Sequence, residues 1–215
     1  GTLDDYAFFI HGLIDLYEAT FKEAYLKEAK HLTEDMIKLF WDEKEGGFFF
    51  TATDAEKLLI REKDIYDGAI PSGNSITALD LLRMGRLTLN REWEKKTQEY
   101  FKAFGQEFSV PSVYAQSMTA LDFAIGPSRE IVLAGQKDDP QTQAMLNGLY
   151  SRFIPNKVVI FRPSLDEEAK AIIDIIPFVK GQRALDGKTT AYVCKNYNCE
   201  FPTNDIKKFE QLLDQ

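Results

Sequence analysis

From position 4 to about 21 the apolar residues Ala7, Ile10, Leu13, Ile14 and Tyr17 return at steps of three and four. That spacing predicts an amphipathic helix, with Asp4 or Asp5 favourable at its positive start. A second is predicted over about 24–41, where Leu32, Met36, Leu39 and Phe40 form the apolar side and Lys27, Glu28, Lys30, Glu34, Asp35 and Lys38 mostly the wet one. So short a connection predicts an antiparallel hairpin. DEKEGG then reads as a turn and FFFTAT as a short strand or extended loop. The helical pattern resumes over about 75–89, and Asn90 is placed to cap a further helix carrying Trp93, Thr97, Tyr100, Phe101 and Phe104. A fifth run, VYAQSMTALDFAIG, stops at Gly126-Pro127. Residues 3–126 therefore read as a fragment of a helical-hairpin repeat of long period.

The texture changes at Pro127. REIVLAG (129–135) and KVVIF (157–161) have the apolar, β-branched character of buried strands, with a helical pattern between them over 139–153 and Pro140 in its first turn. A short helix over 166–173, a strand over 191–194 and a last amphipathic helix over 204–213 follow. Strand and helix alternate, which predicts a small α/β module with parallel pairing. The expected fold class is mainly α: a helical-hairpin part over 1–126, then an α/β module over 127–215.

Composition narrows the partners more than the fold. The chain has 215 residues, 44% hydrophobic, and a formal net charge of -8. That balance argues against nucleic acid or an anionic membrane surface as the main partner, since both call for clustered Lys and Arg. No run approaches the roughly 18 apolar residues of a bilayer span, and no signal-peptide succession is present. Two cysteines, Cys194 and Cys199, are too few for a disulfide-built secreted scaffold, so a cytoplasmic setting is expected. A helix that begins almost at Gly1, with no initiator Met, suggests a cut inside a longer polypeptide.

Five segments, DDYAFFIHGLIDLYEATF, WDEKEGGFFFTA, DGAIPSGNS, YAQSMTALDFA and TAYVCKNYNCEFPT, resemble in that order the C-terminal half of the YyaL-like thioredoxin-domain proteins. The resemblance spans nearly the whole chain. It implies a parent with an N-terminal thioredoxin-like domain, then a toroid of helical hairpins similar to the six-hairpin glycosidases and N-acylglucosamine 2-epimerases, then a small terminal region. On that basis this chain is expected to be a partial (α/α) toroid followed by the terminal module. The thioredoxin-like domain would be a partner in the parent, and the truncated toroid surface a place for self-association.

Sugar-processing toroids use paired carboxylates as acid and base. The candidates are Asp4, Asp5, Glu45, Asp64 and Asp67, at predicted helix starts or loops. Asp67 is singled out as a catalytic acid or base because neighbouring glycines allow close backbone approach. In DGAIPSGNS, Ser72 offers a hydroxyl, and Asn74 or Ser75 is expected to cap the helix. Tyr6, Phe49, Tyr66 and Tyr114 are candidate stacking platforms, with Gln116 a polar contact. His11 and His31 lie on separate helices with no carboxylate or cysteine at ligand spacing, so no metal or cofactor is expected. For Cys194 and Cys199, separated by KNYN, a disulfide across the turn, a redox pair and two unrelated thiols are all compatible with the spacing.

Two functions are compatible with these features. One is a carbohydrate- or small-polar-ligand-binding portion of the parent, epimerase- or glycosidase-like if it is an enzyme, bordered by Asp4, Asp5, Tyr6, Asp67, Ser72, Asn74, Tyr114 and Gln116. The other is a non-catalytic docking module for a thioredoxin-like redox domain.

Overall fold

In a computed structural model, described over residues 1–56 and 59–215, the chain divides into two compact units, 1–126 and 127–215. The first unit contains α1 (Leu3–Thr20), α2 (Glu23–Phe40), α3 (Gly73–Thr88), α4 (Arg91–Ala103) and α5 (Ala115–Ile125). Thr2 and Asp5 form a capping box at the start of α1, and Phe21 ends it in the left-handed region at φ 55°. That single residue reverses the chain, so α2 returns along α1. FFFTAT forms no named strand; its contribution is the isolated bridges Thr2 with Thr51 and Trp41 with Phe48.

The middle helix, α3, is buried nearly all round, polar residues included, and packs against α1, α4 and α5. Its direction relative to α1 follows from paired side chains: Asp4 lies at Gly73, His11 bonds Asp80, and Asp15 and Glu18 reach Arg83. Positions advance together along both helices, so α1 and α3 run parallel with their N-termini at one end. Ser75 meets Ser117 near the starts of α3 and α5, which brings a third helix start to that end. Thr97 of α4 donates to the Ala78 carbonyl, and Gly85 faces Asn90 and Glu94, so α4 runs back along α3.

The second unit is built on a four-stranded sheet of order β2-β1-β3-β4, with β1 (Arg129–Gly135), β2 (Lys157–Pro163), β3 (Thr190–Lys195) and β4 (Asn198–Cys199). β1 and β2 are parallel, joined through α6 (Pro140–Tyr150), while β3 is antiparallel to both β1 and β4. Asp139 caps α6 by accepting from the amides of Gln141 and Thr142, with Pro140 in the first turn. The fully buried Arg162 organises the irregular stretch after β2 by donating to the carbonyls of Pro163, Ser164 and Val179 and pairing with Asp166. Two short helices, α7 (Lys170–Ile175) and α8 (Ile206–Leu213), complete the unit, α8 packing against α6.

Two expectations need correction. Among the described residues, eight α-helices combine with a four-stranded sheet, so the chain is an α/β mix and not the expected mainly-α partial toroid. Long amphipathic helices dominate the periodic signal, whereas short buried strands read only as brief apolar runs. The sheet is also mixed. β3 is antiparallel to β1 and is reached through the 164–189 stretch, whose regular structure is a short α-helix over 170–175 and a 3-10 turn over 177–181.

Candidate functional site

In DGAIPSGNS, the Asp67 carboxylate is engaged entirely by backbone. Oδ1 accepts from the Ser72 amide at 3.0 Å, and Oδ2 accepts from the amides of Gln116 and Ser117 at 2.8 and 3.2 Å. Asp67 thereby caps α5, whose own N-cap residue, Tyr114, supplies no side-chain bond. It points at the helix starts and acts there as a brace. Ser72, not Asn74 or Ser75, caps α3, its hydroxyl accepting from the Ser75 amide at 3.2 Å.

Asn74 lies inside the helix and is 1% exposed. Its Oδ1 accepts from the Phe48 amide, and its Nδ2 donates to the carbonyls of Phe48 and Asp64. One side-chain amide thus stands in for a strand partner and holds the FFFTAT segment against α3. The expected capping role fails because Ser72 occupies the position whose hydroxyl can reach the free amide of the first turn.

Asp4 packs on Gly73, whose amide lowers its pKa, but burial is the larger influence and holds the carboxyl above its usual range. Asp5, in the capping box, is held below its usual range by the amide and hydroxyl of Thr2. The Tyr6 ring meets Phe40 edge-on, with centroids 5.3 Å apart, and Tyr114 meets Phe108 at 5.2 Å. Gln116 contributes its amide to Asp67. These residues share the end where α1, α3 and α5 begin, and there Asp5, Asp67 and Asn74 engage backbone amides with their side-chain oxygens.

Behind this end runs a buried chain of hydroxyls. Ser72 Oγ meets Ser75 Oγ at 2.8 Å, Ser75 Oγ meets Ser117 Oγ at 2.9 Å, and Ser117 Oγ meets Tyr100 Oη at 2.6 Å. Burial pushes the Tyr100 phenol up to about 12, against the opposing effect of its serine partners.

Beside the DEKEGG turn a groove of about 450 Å³ is lined by Glu45, Phe49, Arg61, Lys63, Ala103, Phe104 and Glu107. Its cations are already engaged. Arg61 lies over the Phe49 ring and donates to the Thr51 carbonyl, while Lys63 pairs with Asp42 at 2.6 Å and donates to the Gly46 carbonyl.

The strongest concentration of perturbed groups lies between α1 and α3. Asp80 is fully buried, and its Oδ1 is 2.7 Å from His11 Nδ1. Its Oδ2 has no hydrogen-bond partner among the described residues. Burial pushes the Asp80 carboxyl up, with His11 and Arg83 opposing it. His11 is held above the usual imidazole range, first because Asp80 accepts its Nδ1 proton, with burial working against that. The His11 side chain remains 28% exposed, and its Nε2 lies 3.8 Å from Asp15 Oδ2. The Arg83 guanidinium completes the cluster, 2.8 Å from Asp15 and 3.2 Å from Glu18. Such an arrangement fixes which imidazole nitrogen faces inward and leaves the other to exchange a proton.

Sequence spacing missed this pair because its members are 69 residues apart. The available signal was Asp80, Arg83 and Arg86 inside ALDLLRMGRL, three charges in an otherwise apolar helical run. His31 meets only its neighbour Asp35, at 3.7 Å on the surface of α2.

In the second unit Cys194 and Cys199 form a disulfide across the β3–β4 hairpin. Among the described residues no group of three or more His, Cys, Asp and Glu side chains is placed to hold a metal ion, and no helix is long and apolar enough to cross a membrane.

With this geometry in place, the chain can be set beside known proteins. It is similar to spermatogenesis-associated protein 20. The human protein of that name is 35% identical over 99% of this chain, and the rat and mouse proteins are 34% and 33% identical over its whole length. The chain spans about a quarter of the length of these relatives, 27% in each case. No family model matches it.

Proposed function

We propose that this chain contributes a small-polar-ligand site, centred on His11 and Asp80, that exchanges a proton with a hydroxyl or carbonyl oxygen of its ligand. The observation that carries the reading is the buried Asp80 carboxylate, bonded through Oδ1 to His11 Nδ1 while the imidazole stays in part exposed. A buried carboxylate is expensive unless paired, and here its partner is a group that titrates near neutral pH. Asp80 fixes the ring orientation and raises its basicity. As the imidazolium, His11 offers an Nε2 proton to a ligand oxygen; as the neutral ring, Nε2 accepts one. Arg83 supplies a second cationic edge, held by Asp15 and Glu18.

Carbohydrates fit the ligand class because they present clustered hydroxyls and, when open, a carbonyl. Asp67, the acid or base expected from sequence, is not used in this proposal, since all its bonds go to backbone amides.

The test is a thermal-shift and calorimetric panel of glucose, mannose and N-acetylglucosamine on the full chain and on His11→Asn. Stabilisation of the parent by at least one sugar, lost in the variant, is the expected result. Equal shifts in both proteins, or none in either, would remove the proposal.

A further inference from the structure

The second unit carries a cysteine pair that the proposed ligand site does not use. Cys194 and Cys199 are register partners in β3 and β4, and β4 is a two-residue strand at the edge of the sheet. The two sulfurs sit in different surroundings: Cys194 is 7% exposed, in the strand beside β1, whereas Cys199 is exposed on the outer strand.

Independent bonds hold the hairpin closed around them. The Glu200 amide donates to the Val193 carbonyl at 3.0 Å, and Ala191 and Thr203 exchange both amide bonds at 2.8 and 3.0 Å. At the tip, Asn196 and Tyr197 both have positive φ, 50° and 65°, the turn that a two-residue hairpin requires. That tip is clipped to the start of β1. The Asn196 amide donates to the Ser128 carbonyl at 3.0 Å, the Ser128 amide donates to Asn196 Oδ1 at 3.1 Å, and the Tyr197 amide donates to Glu130 Oε2 at 3.1 Å. These contacts fasten the hairpin through backbone and side-chain bonds that do not involve the sulfurs. A disulfide that is the sole fastening of its loop cannot open without releasing the loop; this one is not the sole fastening.

We infer that Cys194–Cys199 is a thiol–disulfide exchange site, with Cys199 the sulfur that meets an external dithiol and Cys194 the resolving sulfur. In the oxidised chain, one thiolate of the external dithiol attacks Cys199 Sγ from the open side of the edge strand. An intermolecular S–S bond forms, and the Cys194–Cys199 bond breaks with Cys194 leaving as the thiolate, which then takes up a proton. The second thiol of the external molecule, deprotonated, attacks its own mixed-disulfide sulfur and releases Cys199 as a thiolate, which is protonated in turn. Two electrons and two protons pass from the external dithiol, which becomes a disulfide, to this pair, which becomes a dithiol. Reversal uses the same sulfurs in the opposite order. Exposure selects Cys199 because in-line attack needs free space behind the target sulfur, which the buried Cys194 lacks.

The experiment uses the full chain with dithiothreitol as the dithiol. Native protein is exposed to graded ratios of reduced to oxidised dithiothreitol, quenched by alkylation and mapped by mass spectrometry, with circular dichroism recorded in parallel. Expected is a two-electron transition at Cys194 and Cys199 with an unchanged far-ultraviolet spectrum. Resistance to reduction until denaturant is added, or loss of the spectrum together with the disulfide, would overturn the inference. A second arm compares Cys194→Ser and Cys199→Ser by their rates with 5,5′-dithiobis(2-nitrobenzoate). The thiol of Cys199, in Cys194→Ser, should react at least tenfold faster than that of Cys194 in Cys199→Ser. The reverse order would overturn the assignment of the attacked sulfur.

Discussion

Replacing Asp67 by Ala separates a bracing role from a catalytic one. The carboxylate accepts three backbone amides, two of them at the start of α5, where no other side chain caps the helix. Loss of a helix cap costs about 1–2 kcal/mol, and loss of the negative charge at a positive helix end about 0.3–1 kcal/mol. Releasing the Ser72 amide adds about 1 kcal/mol. Together these give about 3 kcal/mol, and at about 2–4 °C per kcal/mol for a chain of this size the melting midpoint should fall by about 6–12 °C. Asp67→Asn keeps one acceptor oxygen without the charge and should lose about half as much. The assay is thermal and urea unfolding followed by circular dichroism on the full chain. A midpoint for Asp67→Ala within about 1 °C of the parent would refute the bracing role and restore Asp67 as a free functional carboxylate.

Three further outcomes follow from the same contacts. Asn74→Ala should lower stability in urea by about 2–4 kcal/mol, because it strands the buried amide and carbonyl of Phe48; Asn74→Asp, which removes the donor Nδ2, should be no better tolerated. Gly73→Ala should destabilise by about 1–3 kcal/mol in the same assay, since a Cβ there would stand 2.4 Å from Asp4 Oδ1. Alkaline absorbance titration should show a tyrosine ionisation near pH 12 that is absent in Tyr100→Phe. Because the folded phenol titrates at about 12 and an unfolded one near 10, Tyr100 contributes stability that is complete below about pH 10 and lost as pH rises towards 12.

The legible parts of this molecule were the local ones. Three- and four-residue spacing marks α1 from Ala7, Ile10 and Tyr17, and Asn90 signals the start of α4 by the chemistry of its own side chain. What stayed hidden depends on partners far along the chain. FFFTAT has strand character, yet its Phe48 backbone pairs with the Asn74 side chain, which nothing within the segment announces. The capping duty in DGAIPSGNS fell to Ser72 because the helix begins at Gly73, two residues earlier than the apolar pattern shows. Asp67 looked available for chemistry because two of the three amides it binds, those of Gln116 and Ser117, are 49 and 50 residues away. β3 pairs antiparallel with β1 after a connection that Arg162 fastens, and periodicity within β3 carries no information about its direction. His11 and Asp80 come together only because α1 and α3 lie parallel, a tertiary fact that neither helix encodes alone.

The most direct test of the central claim is a nuclear magnetic resonance titration of the His11 imidazole in the full chain and in Asp80→Asn, with and without millimolar mannose. Asp80 holds the folded imidazole above its unfolded value near 6.5. The linked stability is therefore complete below about pH 6.5 and lost as pH rises through the folded value. The account predicts a His11 pKa above 6.5 that falls in Asp80→Asn, and an Nε2 resonance that moves when mannose is added to the parent. An ordinary imidazole titration unchanged by Asp80→Asn, together with an Nε2 signal indifferent to the sugar, would contradict it.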